Sequence, residues 1–172
     1  MPDSFSTRRR AAVSLGSNEG DRMAHLRAAL AWCGTAAEET VHFSAVYETD
    51  PVGCAPGTPA FLNAAVVFVT SCEPGALLLG MRAFERVRGR LPSSPRNAPR
   101  PLDMDLLLLG ELRMEGEELS LPHPRMFQRR FVLQPLCEMV PSWVAPGTDR
   151  TLKDFLDLLP ASGDVRRWKE AL

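Results

Sequence analysis

Apolar and polar positions along the chain divide it into short strands and helices. Ala11 to Leu15 is an apolar run that reads as a strand, ended by a turn at Gly16-Ser17-Asn18-Glu19-Gly20-Asp21. A helix is expected from about Arg22 to Trp32, with Met23, Leu26, Ala29 and Leu30 on its buried side and Gly34 as its stop. Val41, Phe43, Ala45 and Tyr47 alternate with His42, Ser44 and Val46, which predicts a second strand with His42 on its polar face. Phe61 to Thr70 is a third, strongly β-prone strand. Pro74 suits the first turn of a helix running to about Val87, with Leu77, Leu78, Met81 and Phe84 toward the core. A fourth strand covers Leu102 to Leu109 and stops at Gly110. Leu112 to Met114 and Leu119 to Leu121 read as short strands around an acidic turn at Glu115 to Glu118. Phe131 to Met139 reads as a short helix broken by Pro135, and Thr151-Leu152-Lys153-Asp154 resembles a capping box opening a helix through Leu159. Residues 1–8 look like a loose tail, and no repeat or second domain is visible.

Composition narrows the class. A chain of 172 residues, 45% hydrophobic and 24% charged, is expected to be a single globular domain. A net charge of −1 and a pI near 6.3 argue against a nucleic-acid binder. Only Lys153 and Lys169 are lysine, so the positive charge is almost all arginine. That bias suits forked recognition of phosphates or carboxylates, and a GC-rich genome would produce it equally well. Cys33, Cys54, Cys72 and Cys137 are far apart, as in a reduced protein without a cysteine metal site. No signal-peptide core and no membrane-length run is present, which by elimination predicts a cytoplasmic protein. A monomer is expected.

The chemistry concentrates on the fourth strand. Strand side chains alternate faces, so Asp103 and Asp105 point the same way, about 6–7 Å apart, while Leu102, Met104 and Leu106 point into a core. Two such charges repel by roughly 3 kcal/mol at an effective dielectric of about 20. They are either solvated at a strand end or paired across a divalent cation, for which oxygen ligands suit Mg²⁺. The Pro/Ser-rich segment Leu91 to Ala98 reads as a mobile loop with arginines, ending directly on Arg100 and the aspartates. That is the layout of a nucleoside-triphosphate site with a lid. The Pro/Gly-rich loop Glu48 to Pro59 is too rigid for a linker, and binding is a common reason for such a loop. Asn63 either bonds its own loop or recognises an amide-like edge. His123, held between Pro122 and Pro124, is either a structural or a functional histidine. Arg82 and Arg86 read as a solvated helix face. The turn at Gly16 lacks the Gly-Lys-Ser/Thr end of a P-loop and reads as structural.

Taken in order, several segments resemble one family. They are Ser14-Leu15-Gly16-Ser17-Asn18, Tyr47-Glu48-Thr49-Asp50-Pro51-Val52-Gly53, Phe61-Leu62-Asn63-Ala64-Ala65, Pro99-Arg100-Pro101-Leu102-Asp103-Met104-Asp105, and Pro122-His123-Pro124-Arg125-Met126 with Arg129-Arg130-Phe131. The chain from about Ala11 to Leu159 resembles the 6-hydroxymethyl-7,8-dihydropterin pyrophosphokinases of folate synthesis. The resemblance implies a ferredoxin-like α+β sandwich, a mainly antiparallel sheet with helices on both faces. It implies transfer of pyrophosphate from ATP to the pterin hydroxymethyl group, leaving AMP, with two Mg²⁺ ions held by Asp103 and Asp105. Arg90, Arg100, His123 and Arg129 would then hold the phosphates, and the backbone around Leu106 would meet the adenine. Phe61 and Phe131 would sandwich the pterin, with Asn63 and the stretch Thr49, Pro51, Val52 and Gly53 reading its edge.

Three positions depart from the family pattern. Asn97 and Ala98 replace an aromatic and a glycine between Arg96 and Arg100, and Pro92 stands where some relatives are basic. Weaker lid closure is the expected result. The rival reading is a pterin-binding protein of the same fold whose catalysis is impaired. A ferredoxin-like RNA-binding module is disfavoured, because its Lys/Arg-Gly-Phe-type motif is absent.

Overall fold

The computed structural model describes residues 7–51, 56–91, 98–161 and 164–172. The strands are β1 (Arg9–Ser17), β2 (His42–Phe43), β3 (Tyr47–Thr49), β4 (Phe61–Thr70), β5 (Asp103–Leu109) and β6 (Val165–Arg167). The helices are α1 (Arg22–Ala36), α2 (Pro74–Val87), α3 (Arg130–Met139) and α4 (Leu152–Leu158). The sheet runs β5-β1-β4-β3-β6 with β2 also on β4, and every pair is antiparallel. The expected ferredoxin-like α+β architecture is therefore present.

Strand alternation builds two cores. Val13, Leu15, Leu62, Ala64, Val66, Met104 and Leu106 face α1 and α2. Ala12, Ala65, Val67, Leu107 and Leu108 face α3 and α4. Consecutive Leu107 and Leu108 share a side because β5 carries one extra residue there, where the register against β1 shifts between Ala12 and Val13. The bulge lets β5 serve the second core at one end while Asp103 and Asp105 keep that same face at the other.

Several expected boundaries move, each for a local reason. Arg8 pairs with Glu38 and Glu39, so the end of the expected loose tail is tied down. Gly16 and Ser17 belong to β1, and the turn begins only at Asn18. Asp21 caps α1 by accepting the Ala24 N–H at 2.9 Å, and α1 continues through Gly34, whose side is open. The strand expected at Val41 to Tyr47 is interrupted. Ser44 turns inward and its hydroxyl takes the Ala65 N–H at 2.9 Å, which breaks the alternation and leaves Phe43 exposed while Val46 and Tyr47 are buried. The residue before α2 is Glu73. The acidic turn is flanked by a single Met114–Leu121 bridge, not by strands. Pro135 lies inside α3, which runs on to Met139, and its ring is buried with Leu133 and Leu136 on the helix's core side. The Thr151 capping box is present, with both reciprocal bonds. Strand β6, unexpected from the sequence, extends the sheet past β3. No helix among the described residues is long and apolar enough to cross a membrane.

Candidate active site

The covering helices α3 and α4 leave one end of their sheet face open, and the polar strand residues collect there. Cross-strand partners share a face. Asp103 stands opposite Gly16, Gly16 opposite Asn63, and Asn63 opposite Tyr47, so one row crosses four strands. The next row places Asp105 opposite Ser14, and Thr49 stands opposite Phe61. Residues from four separate sequence stretches thus meet on one surface.

Gly16 is the hollow in that row. A Cβ there would lie 3.3 Å from Asn63 Oδ1, 3.8 Å from Asp103 Cβ and 3.9 Å from a Phe61 ring carbon. Asn63 is buried, and its Nδ2 donates to Thr49 Oγ1 at 2.7 Å. That bond orients the amide and leaves Oδ1 bordering the hollow. Phe61 lies beneath Arg100, whose guanidinium carbon is 5.6 Å from the ring centre. Phe131, on the first turn of α3, lies likewise 5.5 Å from Arg129. Among the described residues no ring contact joins Phe61 to Phe131. Pro51 is half-buried. Val52 and Gly53 lie outside the described residues, as do Pro92 and Asn97.

Beside this hollow opens a cavity of about 790 Å³, lined by Asp103, Asp105, Leu106, His123 and six arginines, 82, 86, 90, 100, 125 and 129. Arg82 and Arg86 therefore face the cavity and are not a plain solvated face. Arg82 pairs with Glu118 at 3.0 Å. Leu106 is buried in the first core, so its main chain is what borders the cavity, on the sheet's terminal strand. Arg90 Nη1 donates to both Asp103 Oδ1 at 2.6 Å and Glu85 Oε1 at 2.7 Å. Arg100 Nε lies 3.2 Å from Asp103 Oδ2 but is not aligned as a hydrogen bond.

Electrostatics distinguishes the groups. Burial, then the charge of Asp103, pushes the Asp105 carboxyl above its ordinary range, and the arginines only partly offset this. A divalent cation would reverse that cost. Among the described residues no three His, Cys, Asp or Glu side chains come together as a metal cage. The protein's share of a metal site would be the two aspartates, which suits Mg²⁺, an ion that keeps waters and phosphate oxygens as its other ligands. His123 is held below its ordinary pKa by burial and by Arg129 and Arg125. Its Nδ1 accepts the Arg125 N–H at 3.2 Å. The neutral ring then carries its proton on Nε2.

Four contributors escaped the sequence reading. Glu85 is 5% exposed, accepts the Met104 N–H at 2.7 Å, and is pushed up to about 7, chiefly by burial. Its signal was present, since Leu77, Met81 and Glu85 recur every fourth residue along the buried stripe of α2. Arg125, Gly16 and Asn18 stood in the recognised motifs without a role of their own, because the neighbours of Gly16 and Asn18 are distant in sequence and the bond from the Arg125 N–H to His123 depends on the local backbone turn.

The fold and site define a class, a ferredoxin-like α+β domain whose open sheet end joins an acidic pair to an arginine-lined cavity. The sequence pattern of the 7,8-dihydro-6-hydroxymethylpterin-pyrophosphokinase (HPPK) family matches residues 12–141. The chain belongs to that family. It is 45% identical over 130 residues to the 2-amino-4-hydroxy-6-hydroxymethyldihydropteridine pyrophosphokinase of Bacillus subtilis, covering 75% of this chain and 77% of that one. It is 40% identical over 139 residues to the mitochondrial folate synthesis bifunctional protein of Arabidopsis thaliana, covering 81% of this chain and 25% of the relative. The chain thus spans about a quarter of the length of that bifunctional relative. A crystal structure of Plasmodium falciparum HPPK-DHPS superposes with a TM-score of 0.71 at 14% identity, over 90% of this chain and 46% of that one, which shows the shared fold.

Proposed function

We propose that this chain itself transfers the pyrophosphoryl group of ATP to the hydroxymethyl oxygen of 6-hydroxymethyl-7,8-dihydropterin, releasing AMP, as a Mg²⁺-dependent enzyme of folate synthesis. The observation that carries the reading is the cross-strand row, in which Gly16 leaves a hollow between Asn63 and Asp103 at the mouth of the arginine-lined cavity. Family membership supports the reaction.

Each side chain has a task in that reaction. Phe61 and Phe131 offer flat faces to the pterin, and stacking of this kind is worth roughly 1–3 kcal/mol per base. Asn63, oriented by Thr49, turns Oδ1 toward a donor on the pterin edge. Asp103 and Asp105 would hold two Mg²⁺ ions, which when bound neutralise phosphate charge and align the attacking hydroxyl. Arg90, Arg100 and Arg129 clamp the phosphates with forked, permanently charged donors. His123 offers its Nε2 proton to a phosphate oxygen. The pterin hydroxyl oxygen bonds to the β-phosphorus and gives up its proton to water, the bond from that phosphorus to the α–β bridging oxygen breaks, and AMP leaves with the bridging electrons.

The test is AMP release from purified protein with ATP, Mg²⁺ and the pterin, with Asp103→Asn and Asp105→Asn as controls. Pterin-dependent AMP that disappears in both variants is expected. A folded protein that binds pterin without Mg-ATP and releases no AMP would instead be a pterin binder.

A further inference from the structure

Asn18 has no task among the reaction steps above, yet it is 1% exposed immediately after β1. A buried primary amide has to satisfy two donors and an acceptor. Asn18 satisfies the acceptor and one donor by reaching two segments that the sequence keeps far apart. Its Oδ1 accepts the Arg100 N–H at 2.8 Å, and its own N–H donates to the Arg100 carbonyl at 3.2 Å. Its Nδ2 donates to the Pro59 carbonyl at 3.3 Å. The first two bonds grip the main chain of Arg100 from both sides. The third holds the backbone two residues before Phe61.

Those two anchored segments end on opposite halves of the site. Arg100 belongs to the phosphate-facing cavity and Phe61 to the hollow beside it, and the Arg100 guanidinium already lies 5.6 Å over the Phe61 ring. The strand that ends just before Asn18 carries Gly16, which sits between Asp103 and Asn63. One side chain therefore sets the spacing between the group that holds a phosphate and the group that holds the flat substrate.

We propose that Asn18 is a positioning residue that fixes Arg100 and the Phe61 segment relative to one another, so that the two substrates meet in line. This rests on the proposed pyrophosphoryl transfer. Displacement of a reacting group by about 1 Å can cost on the order of 100-fold in rate, so misalignment should appear in kcat more than in binding.

The experiment is steady-state kinetics of AMP release for wild type, Asn18→Ala and Asn18→Asp, each with a thermal melt, assayed well below the lowest Tm. Asn18→Ala should lower kcat by about 10- to 100-fold while KM for ATP and for the pterin each change less than threefold. Asn18→Asp keeps the acceptor for the Arg100 N–H but loses the donor to Pro59. It should recover part of kcat, which a role in stability alone would not predict. Wild-type kcat in a folded Asn18→Ala, or an effect confined to Tm, would overturn the proposal. If the alanine variant does not fold, wild-type kcat in the folded aspartate variant overturns it in the same way. Absence of pterin-dependent AMP in the wild type would overturn the reaction itself, which is a different result from active wild type with unaffected variants.

Discussion

At the scale of single residues, the site depends as much on what is missing as on what is present. Gly16 has no side chain where three groups converge, so Gly16→Ala places a methyl 3.3 Å from Asn63 Oδ1. Overpacking costs about 1–3 kcal/mol, which predicts a rise of about tenfold in pterin KM. ATP KM should stay within about twofold, and Tm should fall by a few degrees, since the same crowding strains the folded strand. Titration calorimetry with each substrate checks the split. Glu85 gives a pH prediction. Its folded pKa is raised from 4.5 to about 7. Between those values the folded state binds more protons than the unfolded, so this group's contribution to stability is lost as pH rises through that window. Glu85→Gln keeps the acceptor for the Met104 N–H and removes the titration. Relative to wild type, the variant should be more stable at pH 8 than at pH 5, read from urea midpoints. Parallel profiles for the two proteins would refute the assignment.

At the scale of elements, the apolar pattern was legible wherever a continuous apolar run or a local periodicity marked the buried side. Strand β4 matches its expected bounds because its continuous β-prone apolar run is buried on both faces, and helix α2 does so because its pattern answers to a single buried stripe. The Thr151 box was legible for a related reason, since its partners are three residues apart. Thr151→Ala should cost about 0.5–2 kcal/mol by denaturant melts while leaving kcat within about twofold, as α4 holds none of the site residues. Elements whose limits are set by distant partners were not legible. Ser44 interrupts a strand because Ala65 offers it an N–H. β6 exists because β3 has an open edge. The bulge in β5 is visible only against β1.

At the scale of the whole molecule, a net charge of −1 hides a local concentration of arginine, six of which line one cavity together with Glu85, Asp103, Asp105, Glu117 and Glu118. A polyanion entering that cavity should be attracted through screened electrostatics, and a neutral pterin should not. Raising KCl from about 50 to 500 mM shortens the Debye length from about 14 to about 4 Å. ATP KM should rise several-fold over that range while pterin KM changes little, and equal shifts in both would refute the assignment of the two halves.

The sequence by itself determined the main strands and helices, the alternation of Asp103 and Asp105 against Met104 and Leu106, and the identities of the acidic pair and arginines, because these follow from local periodicity and side-chain chemistry. The ordered motifs also pointed to the family. Only the tertiary structure decided that Gly16 is a hollow, that Glu85 is buried beneath Arg90, that Asn18 joins two remote segments, and that Arg125 fixes the tautomer of His123. The Gly16 hollow and the Asn18 bridge depend on register between strands and on contacts across long stretches of chain, while the Glu85 and His123 contacts depend on backbone geometry at a helix end and in a turn, and local periodicity carries information about neither.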